Sequence, residues 1–151
     1  MIVINIPGEP IGKGRHKLGN GHAYTPKKTR RWEEMAAWEA RRQYKGKPLE
    51  GPVGLTVVAE FGIPASWPKW KREKAEDGMV AHIVKPDGSN VLKAVEDALQ
   101  GIVFRDDCQI ASEMIDKWYG REPGVTLEVR AMDALHSKSR RSELKVRQLQ
   151  W

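Results

Sequence analysis

Ile2, Ile4 and Ile6 alternate with other residues and then meet Pro7-Gly8, which predicts a short opening strand. Gly8–Pro26 is rich in glycine and cations and reads as a mobile loop. From Pro26 to Lys45 the period turns helical. Trp32, Ala36 and Ala40 form one stripe with Met35 and Trp38 beside it, Thr25 reads as the N-cap and Pro26 as the first helical residue. Gly46 and Pro48 stop that helix. Val53, Leu55, Val57, Ala59 and Phe61 alternate with Thr56, Val58 and Glu60, which predicts a strand. Pro64–Gly78 is a connection rich in proline, tryptophan and lysine, with room for one helical turn. Asn90–Gln100 is a helix whose apolar face is Val91, Leu92, Val95, Ala98 and Leu99, and Gly101 stands where a C′ residue belongs. Ile102–Phe104 reads as a short strand. Gln109–Tyr119 and Val125–Met132 alternate as two more, joined as a hairpin through Gly120–Gly124.

That order predicts a mixed α/β (α+β) fold, a small mixed sheet with helices packed on one face. Residues 1–133 form one domain, and 134–151 are a polar, basic tail compatible with a helix or with disorder. With 151 residues the chain is long enough to bury a core without staples, and its single cysteine, Cys108, excludes an internal disulfide. The first residues have no basic n-region, and no run has the roughly 18 apolar residues of a membrane span. A soluble, intracellular protein with no membrane partner is the expectation.

Charge changes the picture by its distribution. The net charge of +6 is spread unevenly. Gly12–Trp32 holds Lys13, Arg15, Lys17, Lys27, Lys28, Arg30 and Arg31 and no acid, and the tail from Ala134 has five cations against one Glu. Lys85–Asp116 is the reverse, with three cations against seven acids. An acidic island between basic arms suits a nuclease that grips phosphate with cations and cuts through a carboxylate-held metal. It also suits an unevenly charged, solvated surface.

Within the island, Asp87 precedes the predicted helix, and Asp106 and Asp107 follow it. A helix followed by a returning strand is expected to bring both carboxylate groups toward one sheet edge. Hard divalent cations take such oxygen ligands together with substrate phosphate, and activate water there. Lys93, one turn into the helix, is placed to neutralise charge on a phosphate. The competing reading is local: Asp87, Gly88, Ser89 and Asn90 are turn and capping residues, Asp106-Asp107 are turn acids, and Lys93 is solvated. The histidines at 16, 22, 82 and 136 show no zinc spacing, and no phosphate-binding GxxxxGK[ST] string implies a nucleotide cofactor.

The segment KPDGSNVLKAVEDALQGIVFRDDCQI resembles the signature of RusA-type Holliday junction resolvases, approximately K-P-D-x-D-N-x-x-K, a helix ending D-A-L-x-G, then D-D-x-Q-I. PIGKGRHKLGNGHAYTPKKTR is similar to the phage branch of that family, which has P-x-G-K-x-R and then Y-T-P-K-K-T. WPKWKREKAEDG resembles its lysine-rich connection. The resemblance spans residues 1–133. It implies a small mixed α/β fold, a homodimer, and Mg²⁺- or Mn²⁺-dependent nicking of four-way DNA junctions in recombination and repair. A cytoplasmic bacterial setting, phage- or prophage-encoded, goes with it. Position by position it implies metal-binding Asp87 and Asp107, with Asp106 as the first member of the aspartate pair, and an essential Lys93. The family's second aspartate, two residues after the first, is Ser89 here. A serine hydroxyl is a weak, neutral ligand that can hold a metal-bound water from the second shell, and it also serves as an N-cap.

Phosphate-contact candidates are Lys13, Arg15, Lys17, Lys27, Lys28, Arg30 and Arg31 in the first arm, and Lys69, Lys71, Arg72 and Lys74 in the second. Tyr24, Trp67 and Trp70 are candidates for stacking on unpaired bases, with surface packing as the alternative for the two tryptophans. Three functions stay open at this level. The first is a metal-dependent, branch-specific endonuclease in which Asp87, Asp107 and Asp106 hold the metal and Lys93 assists at the scissile phosphate. The second is a junction-binding protein with weak or no cleavage because of Ser89. The third is a non-nuclease protein whose basic arms bind RNA or protein.

Overall fold

The computed structural model describes residues 1–14, 17–19, 22–24, 26–133 and 142–143, with the backbone alone at 17–19 and 22–24. A four-stranded mixed sheet is the frame. It is built from β1 (Ile2–Pro7), β4 (Val53–Gly62), β5 (Ile110–Gly120) and β6 (Gly124–Ala131), in the order β1-β6-β4-β5. The pairs β1/β6 and β6/β4 are antiparallel, and β4/β5 is parallel. A separate two-stranded ribbon, β2 (Lys17–Gly19) and β3 (His22–Tyr24), stands in the first basic arm.

Strand alternation decides which face is covered. Ile4 and Ile6 of β1, Val53, Leu55, Val57, Ala59 and Phe61 of β4, and Val125, Leu127 and Val129 of β6 all bury toward the helices. Helix α1 (Lys27–Gln43) inserts Trp32, Ala36 and Ala40 there, and α3 (Gly88–Leu99) adds Val91, Leu92, Ala94, Val95, Ala98 and Leu99. Burying each large aliphatic of α3 contributes roughly 1.5–3 kcal/mol. The shorter α2 (Lys69–Glu76) packs Ala75 on a smaller cluster with Phe61, Val91 and Tyr119. At the free edge of β1, the Gln43 side chain accepts from the Asn5 N–H (2.9 Å) and donates to the Asn5 carbonyl (2.7 Å), completing an otherwise open strand edge.

Several expectations change. β5 and β6 are not hairpin partners, because β4 lies between them. The three-residue link Arg121–Pro123 crosses the end of β4, where the Glu122 N–H donates to Glu60 Oε1 (3.0 Å). Alternation shows that both segments are strands but does not choose their neighbours. The fully buried row Val125, Leu127, Val129 is what gives β6 an interior place. Ile102–Phe104 is a tight turn, with Val103 and Phe104 buried as plugs at the end of the core. Gly101 takes φ +77°, as its C′ position requires. The basic arm read as a loop contains the β2/β3 ribbon, whose strands are too short to show a period. α2 runs two turns where one was expected. Pro26, not Thr25, occupies the N-cap position of α1. Asp87 occupies that of α3, which places Ser89 inside the first turn.

Leu127→Ala is expected to lower stability by about 2–5 kcal/mol in urea unfolding, since Leu127 is fully buried in an interior strand. A loss under about 1 kcal/mol would contradict that placement.

Candidate active site

Asp87 stands at the exposed start of α3. Its backbone carbonyl accepts from the N–H groups of Asn90 and Val91 (3.1 Å each), while its side chain makes no capping bond. The carboxylate is therefore not consumed by the helix it begins. The Val84–Pro86 turn before it is held from the sheet. Lys117 of β5 donates to the carbonyls of Val84 (3.0 Å) and Pro86 (2.7 Å). The N-terminal loop closes over the other side. Gly12 lies so near that a Cβ there would stand 2.6 Å from Pro86 Cβ, and the Lys13 N–H donates to the Asn90 carbonyl (2.8 Å). Only glycine permits this approach. The result is a cleft of about 700 Å³ lined by Gly12, Lys28, Lys85, Asp87 and Asn90 among others.

Asp107 is placed by a turn. Asp106 begins the 3₁₀ segment Asp107–Gln109 and accepts from the Cys108 N–H (3.0 Å). Gln109 answers by accepting from the N–H groups of Arg105 (2.8 Å) and Asp106 (2.9 Å), while donating to the carbonyls of Leu49 (3.0 Å) and Gly51 (2.8 Å). This capping box fixes the turn to the chain before β4. Hydrogen bonds from Cys108 hold the Asp106 carboxyl below its ordinary pKa.

The half-buried Asp107 carboxylate accepts from Lys93 Nζ at 2.5 Å. Lys93 also lies 3.4 Å from Glu96 and 3.7 Å from Asp97. Its pKa is raised above the lysine norm, chiefly by the bond to Asp107, so the ammonium stays charged at neutral pH. Asp97 is shared, because Lys13 pairs with both Asp97 and Glu33 of α1 (3.1 Å to the latter). A charge chain Glu33, Lys13, Asp97, Lys93, Asp107 thus ties α1, the N-terminal loop, α3 and the turn before β5 together. Glu96 faces Glu113 of β5. Burial first, and a hydrogen bond between the two carboxyls second, raise its pKa.

The structure brings Lys93 and Asp107 together but leaves Asp87 on the separate cleft with Lys28 and Lys85. Among the described residues no three His, Cys, Asp or Glu side chains gather as a group able to hold a metal. The donors are nevertheless all oxygens, the chemistry of a hard divalent cation. Ser89 is exposed one residue into α3 from its first, Gly88, and carries no cap.

The basic residues divide. Lys27, Lys28 and Arg31 are exposed on the first turns of α1, and Arg30 pairs with Glu34 (3.8 Å). On α2, Lys69 is 3.8 Å from Glu73, Arg72 is exposed, Lys71 sits over the Trp67 ring (3.8 Å) and Lys74 over Trp70 (5.6 Å). Trp67 packs edge-on to Tyr119, the packing alternative, whereas Trp70 stays exposed. Arg15 and the side chains of Lys17 and Tyr24 lie outside the described residues, as does the tail apart from residues 142–143. Lys13 is spent in ion pairs. Sequence reasoning missed Lys117, Lys85 and Asn90 as parts of the site. Lys85 and Asn90 were visible beside Asp87, while Lys117 lies 30 positions further on, in another strand, with no local signal.

A family model for endodeoxyribonuclease RusA matches residues 7–130, most of the chain. The chain belongs to the RusA family. RusA membership implies a Holliday junction resolvase endonuclease, a class of nuclease typically dependent on a divalent metal. The chain is also similar to the uncharacterized protein YqaN of Bacillus subtilis (strain 168), 32% identical over 139 residues that cover 88% of this chain and 98% of that relative. Among the described residues of this RusA-family chain, no helix is long and apolar enough to cross a membrane.

Among the described residues Lys13 is held in ion pairs and Lys28 in none. Lys28→Met is expected to reduce the salt slope of DNA binding by about 1. Lys13→Met should leave that slope unchanged and lower stability by roughly 1–3 kcal/mol. Equal slope changes for the two would overturn the distinction.

Proposed function

We propose that the chain is a divalent-metal-dependent, structure-specific endodeoxyribonuclease that works as a homodimer on four-way junctions and other branched DNA. The single observation that carries this is the RusA signature mapped onto the fold: an uncapped Asp87 on a cationic cleft, and Asp107 bonded to Lys93 on the same helix. Asp87 and Asp107, which line separate clefts of the single chain, are the residues that would hold Mg²⁺ or Mn²⁺, and Ser89 would hold a water on that ion. Asp106 shapes the turn that presents Asp107. When bound, such a cation supplies a Lewis acid and a water of lowered pKa. Lys93 bonds Asp107, and its charged ammonium stabilises negative charge on a phosphate drawn beside it. Lys28 and Lys85 hold the DNA backbone at the cleft mouth. In a dimer two such sites cut paired strands, in DNA recombination and repair.

A second reading, junction binding with weak or no cleavage, is favoured by one specific observation. Ser89 replaces a family aspartate, so the chain has one carboxylate fewer for the ion.

A labelled four-way junction and a matched linear duplex, each with Mg²⁺, Mn²⁺ or EDTA, separate these readings. Paired nicks on the junction only with metal are the expected result. Tight junction binding without nicks establishes the second reading, and no junction preference contradicts both. Asp107→Asn is expected to abolish cutting and retain binding, and wild-type cutting by it would remove Asp107 from the site. Ser89→Asp should preserve or raise activity, because an acid in the first turn of α3 also suits the helix dipole. A large fall would show that the hydroxyl itself is needed.

A further inference from the structure

Ile83 and Val84 are 88% and 57% exposed, although both are large, branched aliphatics. They follow the buried His82 and lead into the Val84–Pro86 turn, and neither side chain is covered. The backbone there is nevertheless fixed at each end. The buried His82 ring stacks on Phe61 at 3.6 Å, and the His82 backbone N–H donates to the Lys117 carbonyl (2.9 Å). Lys117 Nζ in turn holds the Val84 and Pro86 carbonyls. This is a pinned ridge that carries apolar tips.

Isolated exposed apolar side chains are ordinary. Here two further ones, Met79 and Trp70, are 62% and 61% exposed in the same connection. No acid occurs between Gly78 and Pro86, while Lys85 follows the ridge directly and joins Lys28 in the Asp87 cleft. Apolar tips among cations match a ligand with apolar faces and an anionic backbone, namely nucleic acid with accessible base faces. Val84 is three residues from Asp87, hence within about 11 Å along the chain.

We infer that Ile83 and Val84 form an apolar wedge that enters the base stack at the branch point of the DNA. The inference rests on the branched-DNA reading above and adds the element that selects the branch. Opening a continuous duplex stack is unfavourable, and a branch point offers the opening at lower cost. The wedge therefore favours junction over duplex without reading a sequence.

The test uses the full-length chain in EDTA, so that strands stay intact, with a four-way junction carrying 2-aminopurine at the branch and a matched duplex. The wild type is expected to brighten the junction probe and to prefer the junction. Ile83→Ser/Val84→Ser should lose the brightening and about tenfold or more of the preference, with duplex affinity unchanged. Ile83→Met, which keeps an apolar tip, should retain both. An unaltered preference and signal in the double serine variant overturns the wedge while leaving the branched-DNA reading intact. A changed sedimentation coefficient also overturns it, because the ridge is then a subunit contact. A wild type with no junction preference overturns the branched-DNA reading itself.

Discussion

Helix α3 must bury Val91, Val95, Ala98 and Leu99 against the sheet while it holds Asp87 at its start and Lys93 on its outer face. Rotation of the helix by one residue, about 100°, would carry Lys93 away from Asp107 and a valine into water. Packing of the apolar face therefore sets the geometry of the polar one. The Lys93–Asp107 bond at 2.5 Å is the visible consequence. The core supplies the rigidity, and the site inherits it.

Around that bond Glu33, Lys13, Asp97, Lys93 and Asp107 are linked in a chain of ion pairs. Lys13 engages Asp97, which would otherwise compete with Asp107 for Lys93. The same Lys13 reaches Glu33, so α1 and the N-terminal loop are registered to the site by one ammonium group. Lys117 performs the equivalent task on the other side, holding the turn before Asp87 through two carbonyls. Among the described residues Lys28, Lys85 and Asp87 make no such pair, and they line one cleft.

Much of the fold was legible because its signals are local. The alternation of β4, the 3.6-residue period of α3 and the glycine at 101 each report on their own neighbourhood, and each placed its element. The pairing of β5 with β4 was not legible, since it depends on partners such as Val57 and Ile115, far apart in the chain, and both strands simply alternate. The N-cap position of α3 is Asp87 and not Ser89; both residue types cap well, and Asp87 makes no side-chain capping bond, so capping chemistry alone does not choose between them. For the site, the motif named Asp87, Lys93, Asp106 and Asp107, and the fold placed Lys93 on Asp107. What composition could not tell was which cations are free. Lys13 counts as +1 in any tally, and only the fold shows it enclosed by two carboxylates.

We propose that Asp87 and Asp107 are the cation-holding carboxylates. Mn²⁺ titration followed by the free-ion electron paramagnetic resonance signal tests it directly, without DNA or turnover. The wild type is expected to take up the ion, while Asp87→Asn and Asp107→Asn each weaken uptake by roughly tenfold or more, the cost of removing a ligand being at least that of disturbing its support. Uptake of Mn²⁺ by both variants with wild-type affinity would contradict the account.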